Sequence, residues 1–143
     1  MKLRLPRIDL VICSPYARTD HTARIIAEEI GYPVEKIEHN NLLIERSFGV
    51  LEGTSSLGYY DTHKLEDVDK EESAETIEEL QKRAARAFQY LQSLDYDNIL
   101  VVSHGSFGRA LIRVIKKMPH TDEFIDERRE SLRLGNAEIV ELI

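Results

Sequence analysis

The chain of 143 residues is long enough for one hydrophobic core, and its 42% hydrophobic and 31% charged residues are typical of a globular protein. We therefore expect a single domain over residues 1–143. The net charge of −7 predicts no nucleic-acid surface, because phosphate backbones are bound by clustered Lys and Arg. One cysteine, Cys13, excludes an internal disulfide, and no apolar run is long enough for a signal peptide or a membrane span. These features together predict a cytoplasmic protein that does not bind a membrane.

The first part of the chain predicts a strand, a helix and a long loop. Residues 8–13, IDLVIC, are mostly apolar and end at a Ser-Pro turn, which predicts a buried strand. Apolar residues follow the helical period from about residue 19 to 30, and Gly31 stands where a left-handed cap would end that helix. Residues 33–46 predict extended or mixed structure. The acidic and glycine-rich residues 49–73 predict a long surface loop.

The second part predicts two more strands and two more helices. Thr76 and Glu79 have the spacing of a capping box ahead of a helical apolar stripe at residues 77–91. Residues 98–103 predict a strand buried on both faces, and a helical apolar face at residues 107–118 follows, ended by Pro119. Residues 137–143, AEIVELI, predict a final strand. This alternation indicates an α/β fold, with a mostly parallel sheet and helices on both faces.

His104 comes directly after the predicted strand at residues 98–103, and Gly105 and Ser106 follow it. In an open parallel sheet, ligands bind beyond the carboxyl ends of the strands, and helix N-termini there favour anions. Gly105 would let a ligand approach the backbone closely. On this stretch alone, a ligand-binding histidine and a histidine that merely caps a helix or packs in a turn are equally consistent.

Residues 10–18, LVICSPYAR, repeat the same plan and place Arg18 at the start of a helix. If the strands are parallel, Arg18 and His104 reach the same edge of the sheet, where guanidinium and imidazolium can hold a phosphoryl group. Glu45 could give a proton to a leaving alkoxide if it is partly buried, although on spacing alone it is one more surface acid. Arg46 beside it is equally consistent with a surface ion pair of little energetic consequence.

Four strings in sequence order resemble the histidine phosphatase superfamily, which has the phosphoglycerate-mutase-like fold. They are SPYARTDHTA, LLIERSFGVLEG, VVSHGSFGRAL and LGNAEIVEL. A Glu-Ser pair at Glu72-Ser73 stands ahead of the long helix, where the family often has Gly-Glu-Ser. The resemblance runs from about residue 9 to residue 142.

The resemblance implies a role for each candidate site residue. Arg18 would bind the phosphoryl group, and Glu45 would be the proton donor to the leaving oxygen. His104 would stabilise the phosphoryl oxygens, helped by the N–H groups of Gly105 and Ser106. The resemblance further implies hydrolysis of phosphomonoesters, on a phosphorylated small molecule or a phosphoprotein, with no metal or organic cofactor.

The family begins with a strand that ends in R-H-G, whose histidine takes the phosphoryl group, and this sequence contains no such triplet. His21 is expected on a helix face, whereas His39, His63 and His120 are expected in solvated segments. The chain is therefore expected to lack the nucleophile and to be inactive, either as an N-terminally truncated phosphatase or as a relative with a phosphate-binding remnant. We favour truncation, because the other site residues are retained. A missing central strand would expose an apolar sheet edge and favour homo-oligomers.

Other functions fit the sequence less well. CSPYAR is similar to the cysteine phosphatase loop, but only four residues separate Cys13 from Arg18 where that loop needs five, so Cys13 is expected in the core. No H-x-x-x-H or H-E-x-x-H pair occurs, and EDVDKEE lacks EF-hand spacing, so no metal site is predicted. A non-catalytic phosphate-binding module and a mutase-type phosphotransferase stay as alternatives.

Overall fold

The computed structural model describes residues 4–48, 73–118 and 138–142. In these ranges a parallel sheet has the strand order β2-β1-β3. Its strands are β1 (Leu10–Cys13), β2 (Glu38–His39) and β3 (Ile99–Val102). The central strand β1 pairs with β3 over its whole length, from Leu10 opposite Ile99 to Cys13 opposite Val102. Of the predicted loop at residues 49–73, only Ser73 lies in the described part of the chain.

Three helices accompany the sheet, namely α1 (Ala17–Ile30), α2 (Ile77–Ser93) and α3 (Gly105–Lys116). Two short 3-10 turns, Val34–Lys36 and Asn41–Leu43, flank β2 in the segment predicted as extended or mixed. The first helix starts two residues earlier than predicted and ends as predicted, with Gly31 in the left-handed conformation at φ 74°. The predicted α/β fold with a parallel sheet is confirmed.

The two faces of the sheet are covered by different helices, because successive strand residues point to opposite sides. On one face Leu10 and Ile12 pack with apolar residues of α2 and α3, including Leu80 and Phe107. On the other face Val11 and its neighbours pack with apolar residues of α1 and the segment before β2. Cys13 is a fully buried member of this second cluster, as predicted for a core cysteine. Burial on both faces explains why the strands read as continuous apolar runs.

A capping box starts α2, as the Thr76 and Glu79 spacing predicts. The Thr76 hydroxyl accepts a hydrogen bond from the N–H of Glu79 at 3.0 Å, and the Glu79 carboxylate accepts one from the N–H of Thr76 at 2.9 Å. Two N–H groups that have no partner within the helix are thereby satisfied.

The chain differs from the sequence prediction near its carboxyl end. Helix α3 ends before Pro119, because Lys117 takes the left-handed conformation and its N–H bonds back to the carbonyls of Arg113 and Val114. The predicted strand at residues 137–143 is wrong for its described part, since residues 138–142 form no ladder with the described strands and are mostly exposed. Apolar residues alone do not make a strand without a partner to receive their backbone hydrogen bonds.

The edge strand β3 is covered on its faces. Leu100 and Val102 are each 9% exposed, and Ile99 and Val101 are half-buried. In the described ranges, the helices are too short or too polar to cross a lipid bilayer.

The capping box yields a stability prediction. Replacement of Thr76 by Ala removes the acceptor for the N–H of Glu79, and we expect the free energy of unfolding to fall by about 1 kcal/mol. Urea denaturation measures this change. Thr76→Ser keeps the hydroxyl and should stay close to the wild type; an equal loss in both variants would contradict the role given to the hydroxyl.

Candidate functional site

The carboxyl ends of β1 and β3 form the centre of the candidate site. The N–H of Ser14, directly after β1, donates to the carbonyl of Val102 at 3.0 Å and extends the ladder by one residue. His104 follows β3 by one residue, and its Nε2 lies 2.8 Å from the fully buried Ser14 hydroxyl. This hydrogen bond ties the two strand ends together and fixes the imidazole at the edge of the sheet.

Arg18 and His104 both contact the ring of Tyr16. The Tyr16 ring meets the His104 ring edge to face, with centroids 5.1 Å apart, and the Arg18 guanidinium carbon lies 5.3 Å from the Tyr16 centroid. Arg18 is exposed at the start of α1, whereas His104 is only 9% exposed. The parallel pairing therefore brings the two predicted phosphate ligands to one edge, as the sequence predicts for parallel strands.

Glu45 lies at the N-terminus of α3. Its carboxylate accepts hydrogen bonds from the N–H of Phe107 at 3.0 Å and from the N–H of Ser106 at 3.3 Å. It also accepts one from the N–H of its neighbour Arg46 at 2.9 Å. A carboxylate is favoured here, because the first N–H groups of a helix have no partner within it and the helix dipole is positive at this end. Glu45 is half-buried, so it is not the ordinary surface acid that its spacing alone would suggest.

The two predicted helpers of His104 differ in their surroundings. Gly105 is exposed, and a Cβ at this position would lie 3.4 Å from a guanidinium nitrogen of Arg109. Ser106 is buried; its N–H donates to Glu45, and its hydroxyl accepts from Arg109 at 3.3 Å. A bound oxyanion would therefore share the N-terminus of α3 with the Glu45 carboxylate.

Arg83 holds the segment that carries Glu45, and the sequence analysis did not identify it. Its guanidinium forms two 2.8 Å hydrogen bonds with the Glu75 carboxylate and donates to the carbonyls of Leu42 and Ile44 at 2.9 and 2.7 Å. The same group lies 4.9 Å from the centre of the Phe107 ring. The sequence did contain a signal for this role, since Arg83 stands within the apolar stripe of α2. In the structure it is 8% exposed, and an arginine that is so buried requires paired partners.

Arg46 is buried, contrary to the surface ion pair considered from sequence. It is 1% exposed, its Nε donates to the carbonyl of Glu75 at 2.9 Å, and its guanidinium lies 5.6 Å from the centre of the Phe48 ring. Glu75 thus accepts hydrogen bonds from Arg46 with its carbonyl and from Arg83 with its carboxylate. Glu75 therefore joins the start of α2 to the site, two positions after the Glu-Ser pair at residues 72 and 73.

The surroundings of His104 disfavour the imidazolium form considered from the sequence. Burial is the main cause that lowers its pKa below the ordinary value of 6.5, and the nearby Arg18 and Arg83 lower the pKa further, while Glu45 opposes them. Desolvation and like charge both disfavour the protonated ring. These effects favour the neutral form of the imidazole.

Two other histidines lie in the described ranges. His21 is exposed on α1, as expected for a helix-face residue. His39 is exposed, as expected for a solvated residue, but it ends strand β2 instead of lying in a loop, and its Nε2 lies 2.7 Å from a carboxylate oxygen of Asp20. Cys13 lies next to this pair, so these three side chains are the ones that a metal ion could contact together among the described residues.

The sequence profile of the histidine phosphatase superfamily (branch 1) matches residues 2–142. Because the match covers nearly the whole chain, this protein belongs to that superfamily.

Two similar proteins are named as phosphatases, and a third is a solved structure of similar fold. A protein of Hydrogenobacter thermophilus named "Putative phosphoserine phosphatase 2" is 29% identical over 114 residues, which are 74% of this chain and 55% of the relative. The crystal structure of the α-ribazole phosphatase from Shigella flexneri superposes with a TM-score of 0.61 at 27% identity, over 80% of this chain and 59% of that one. The structure of Rv3214 from Mycobacterium tuberculosis superposes with a TM-score of 0.55 at 26% identity, over 77% and 55%. The chain thus spans between half and two thirds of each relative.

The lowered pKa of His104 yields a prediction about pH. The unfolded chain binds a proton on this ring more readily than the folded chain, so the free energy of unfolding should fall as pH drops from 6.5 through the folded pKa. We expect the urea midpoint to fall more between about pH 7.5 and about pH 5.5 in the wild type than in His104→Gln. The exposed-histidine variant His21→Gln should keep the wild-type pH dependence. Identical pH dependence in wild type and His104→Gln would contradict the burial argument.

Proposed function

We propose that this chain binds the phosphoryl group of phosphomonoesters between Arg18 and His104, as part of a phosphatase-type site. The observation that carries the proposal is the Tyr16 ring, which contacts both the Arg18 guanidinium and the His104 imidazole at the carboxyl edge of the sheet. Membership of the histidine phosphatase superfamily supports the same chemistry.

Local charge supports an anionic ligand despite the net charge of −7. Arg18 and Arg83 both act on His104 electrostatically, and only Glu45 acts in the opposite sense. No carboxylate in the described ranges forms an ion pair with Arg18, and its planar fork of donors suits two oxygens of one phosphoryl group. A dianionic phosphoryl group beside His104 would favour protonation of the ring, and so binding would restore the imidazolium that burial disfavours.

We assign to Glu45 the proton donor role toward the leaving oxygen. Its carboxyl group is half-buried and accepts hydrogen bonds from the N–H groups of Ser106 and Phe107, two and three residues after His104. Because those N–H groups favour the carboxylate, the role requires that substrate displace Glu45 from them and that Glu45 take up a proton before it donates one. Arg83 holds the segment before Glu45 through the backbone carbonyls of Leu42 and Ile44. Gly105 permits close approach of substrate oxygens to the backbone at the same point.

The substrate is proposed only as a class. Relatives are named for phosphoserine and for α-ribazole phosphate chemistry, and both names fit a phosphatase acting on a phosphorylated small molecule. A phosphoprotein substrate and a mutase-type transfer use the same phosphoryl pocket. A second candidate function, phosphate binding without turnover, is favoured by the absence of an R-H-G triplet from the 143 residues.

Phosphate affinity tests the assigned ligands. By calorimetry, Arg18→Gln should weaken the binding of inorganic phosphate about tenfold or more, since charged hydrogen bonds are lost. Arg24→Gln removes a cation from the same helix and should leave the affinity unchanged. Equal affinities of wild type and Arg18→Gln, or no phosphate binding by the wild type, would refute the pocket.

Measurement of hydrolysis separates phosphate binding from catalysis. We expect the 143-residue chain to hydrolyse p-nitrophenyl phosphate negligibly and to form no phosphohistidine, because no histidine in the described ranges follows a strand with a flanking Arg and Gly. Turnover with a phosphohistidine mapped to His104 would show that His104 is itself the nucleophile and that its assignment as a phosphate ligand is wrong.

A further inference from the structure

Three potential metal ligands from separate elements meet at the carboxyl end of β1 and β2. They are Cys13 at the end of β1, Asp20 in the first turn of α1 and His39 at the end of β2. One ligand atom from each side chain lies within 4.8 Å of the other two. No short sequence motif predicts this group, because Cys13 and Asp20 are 7 residues apart and Asp20 and His39 are 19 residues apart. The three side chains come together only in the folded chain.

The parallel pairing of β1 with β2 explains the meeting. Cys13 and His39 are direct partners in the ladder, and the N–H of Asn40 donates to the carbonyl of Cys13 at 3.0 Å. Cys13 faces the side of the sheet that α1 covers through Ala23 and Ala27. The first turn of α1 therefore brings Asp20 over the end of both strands.

The carboxylate of Asp20 is already oriented toward the other two ligands. Its Oδ2 accepts from Arg24 Nε at 2.9 Å, and its Oδ1 lies 2.7 Å from Nε2 of His39. Arg24 occupies one oxygen and leaves the other directed at the imidazole, in the way that outer partners orient metal-binding carboxylates.

We propose that Cys13 Sγ, Asp20 Oδ1 and His39 Nε2 bind one zinc-like divalent transition-metal ion, with a fourth position open to solvent. Zinc takes sulfur, nitrogen and oxygen ligands in tetrahedral geometry, and a mixed set of three protein ligands leaves one position free. Ligand atoms around such an ion lie about 3.3–3.7 Å apart, so small side-chain rotations would complete the site.

The Cys13 thiol would have to lose its proton to bind a metal ion. Without an ion, burial and the negative charge of Asp20 raise the pKa of the Cys13 thiol to about 11. A divalent ion reverses this preference, so the thiol proton leaves to solvent as the metal–sulfur bond forms. The ion would enter from the solvent side, because the side chains of His39 and Asp20 are 39% and 27% exposed while Cys13 is fully buried beneath them.

This metal site is separate from the phosphate pocket. His104 follows β3 on one side of the central strand, whereas His39 ends β2 on the other side. The two sites use different side chains, so a variant of a metal ligand removes none of the proposed phosphate ligands.

Cobalt titration of the reduced protein in phosphate-free buffer tests the proposal. We expect one Co²⁺ per chain, a thiolate-to-cobalt absorption band in the near ultraviolet, and displacement of that band by Zn²⁺. Since Cys13 is the single cysteine, the band reports this site alone. Absence of the band from the wild type would overturn the proposal.

Variants separate the ligands from adventitious histidine binding. His39→Gln and Asp20→Asn should each weaken Co²⁺ binding tenfold or more, and Cys13→Ser should abolish the band. His21→Gln removes an exposed histidine from α1 and should bind Co²⁺ as the wild type does. Because Cys13 is buried and its variant can lose stability, the two exposed ligands carry the test, with folding checked by circular dichroism. Unchanged affinity in both His39→Gln and Asp20→Asn would also overturn the proposal.

Discussion

The parallel pairing of β1 with β3 is the constraint on which the rest of the structure depends. It sets Cys13 opposite Val102, so that Ser14 and His104 leave the sheet at the same edge and join through a 2.8 Å hydrogen bond. A slip of one residue would turn Val11 and its neighbours toward the wrong helices and would move His104 away from Tyr16. The apolar core and the candidate site are therefore fixed by one register.

Positive and negative side chains act in opposite directions on the pKa of His104 at the candidate site. Burial, Arg18 and Arg83 lower the pKa of His104 and Glu45 opposes them, while the Glu45 carboxylate satisfies the N-terminus of α3. Arg83 holds the segment before Glu45 in place, since its guanidinium joins α2 to the carbonyls of Leu42 and Ile44. An arriving phosphoryl group would add negative charge next to Arg18 and His104. The charged groups buried at the candidate site must pair with each other to offset the cost of their burial.

Local pattern predicted the helices and strands where chemistry and periodicity agree, as for the Thr76 capping box and the left-handed cap at Gly31. It also placed Arg18 and His104 at one edge, because parallel strands share their carboxyl end. The pattern failed where long-range partners decide. The buried Arg83 is held by residues about 40 positions away, and the group of Cys13, Asp20 and His39 depends on strand pairing. The run at 137–143 looked like a strand because hydropathy does not reveal whether a neighbouring strand is available.

The central claim is that the Arg18 guanidinium and the His104 imidazole bind the same oxyanion. A crystal structure of the protein soaked in tungstate tests it most directly, because the anomalous signal of tungsten locates the anion independently of the side chains. The account predicts one tungstate within hydrogen-bond distance of both Arg18 and His104, beside the Tyr16 ring. Tungstate bound by either residue without the other, or bound only elsewhere on the surface, would contradict it.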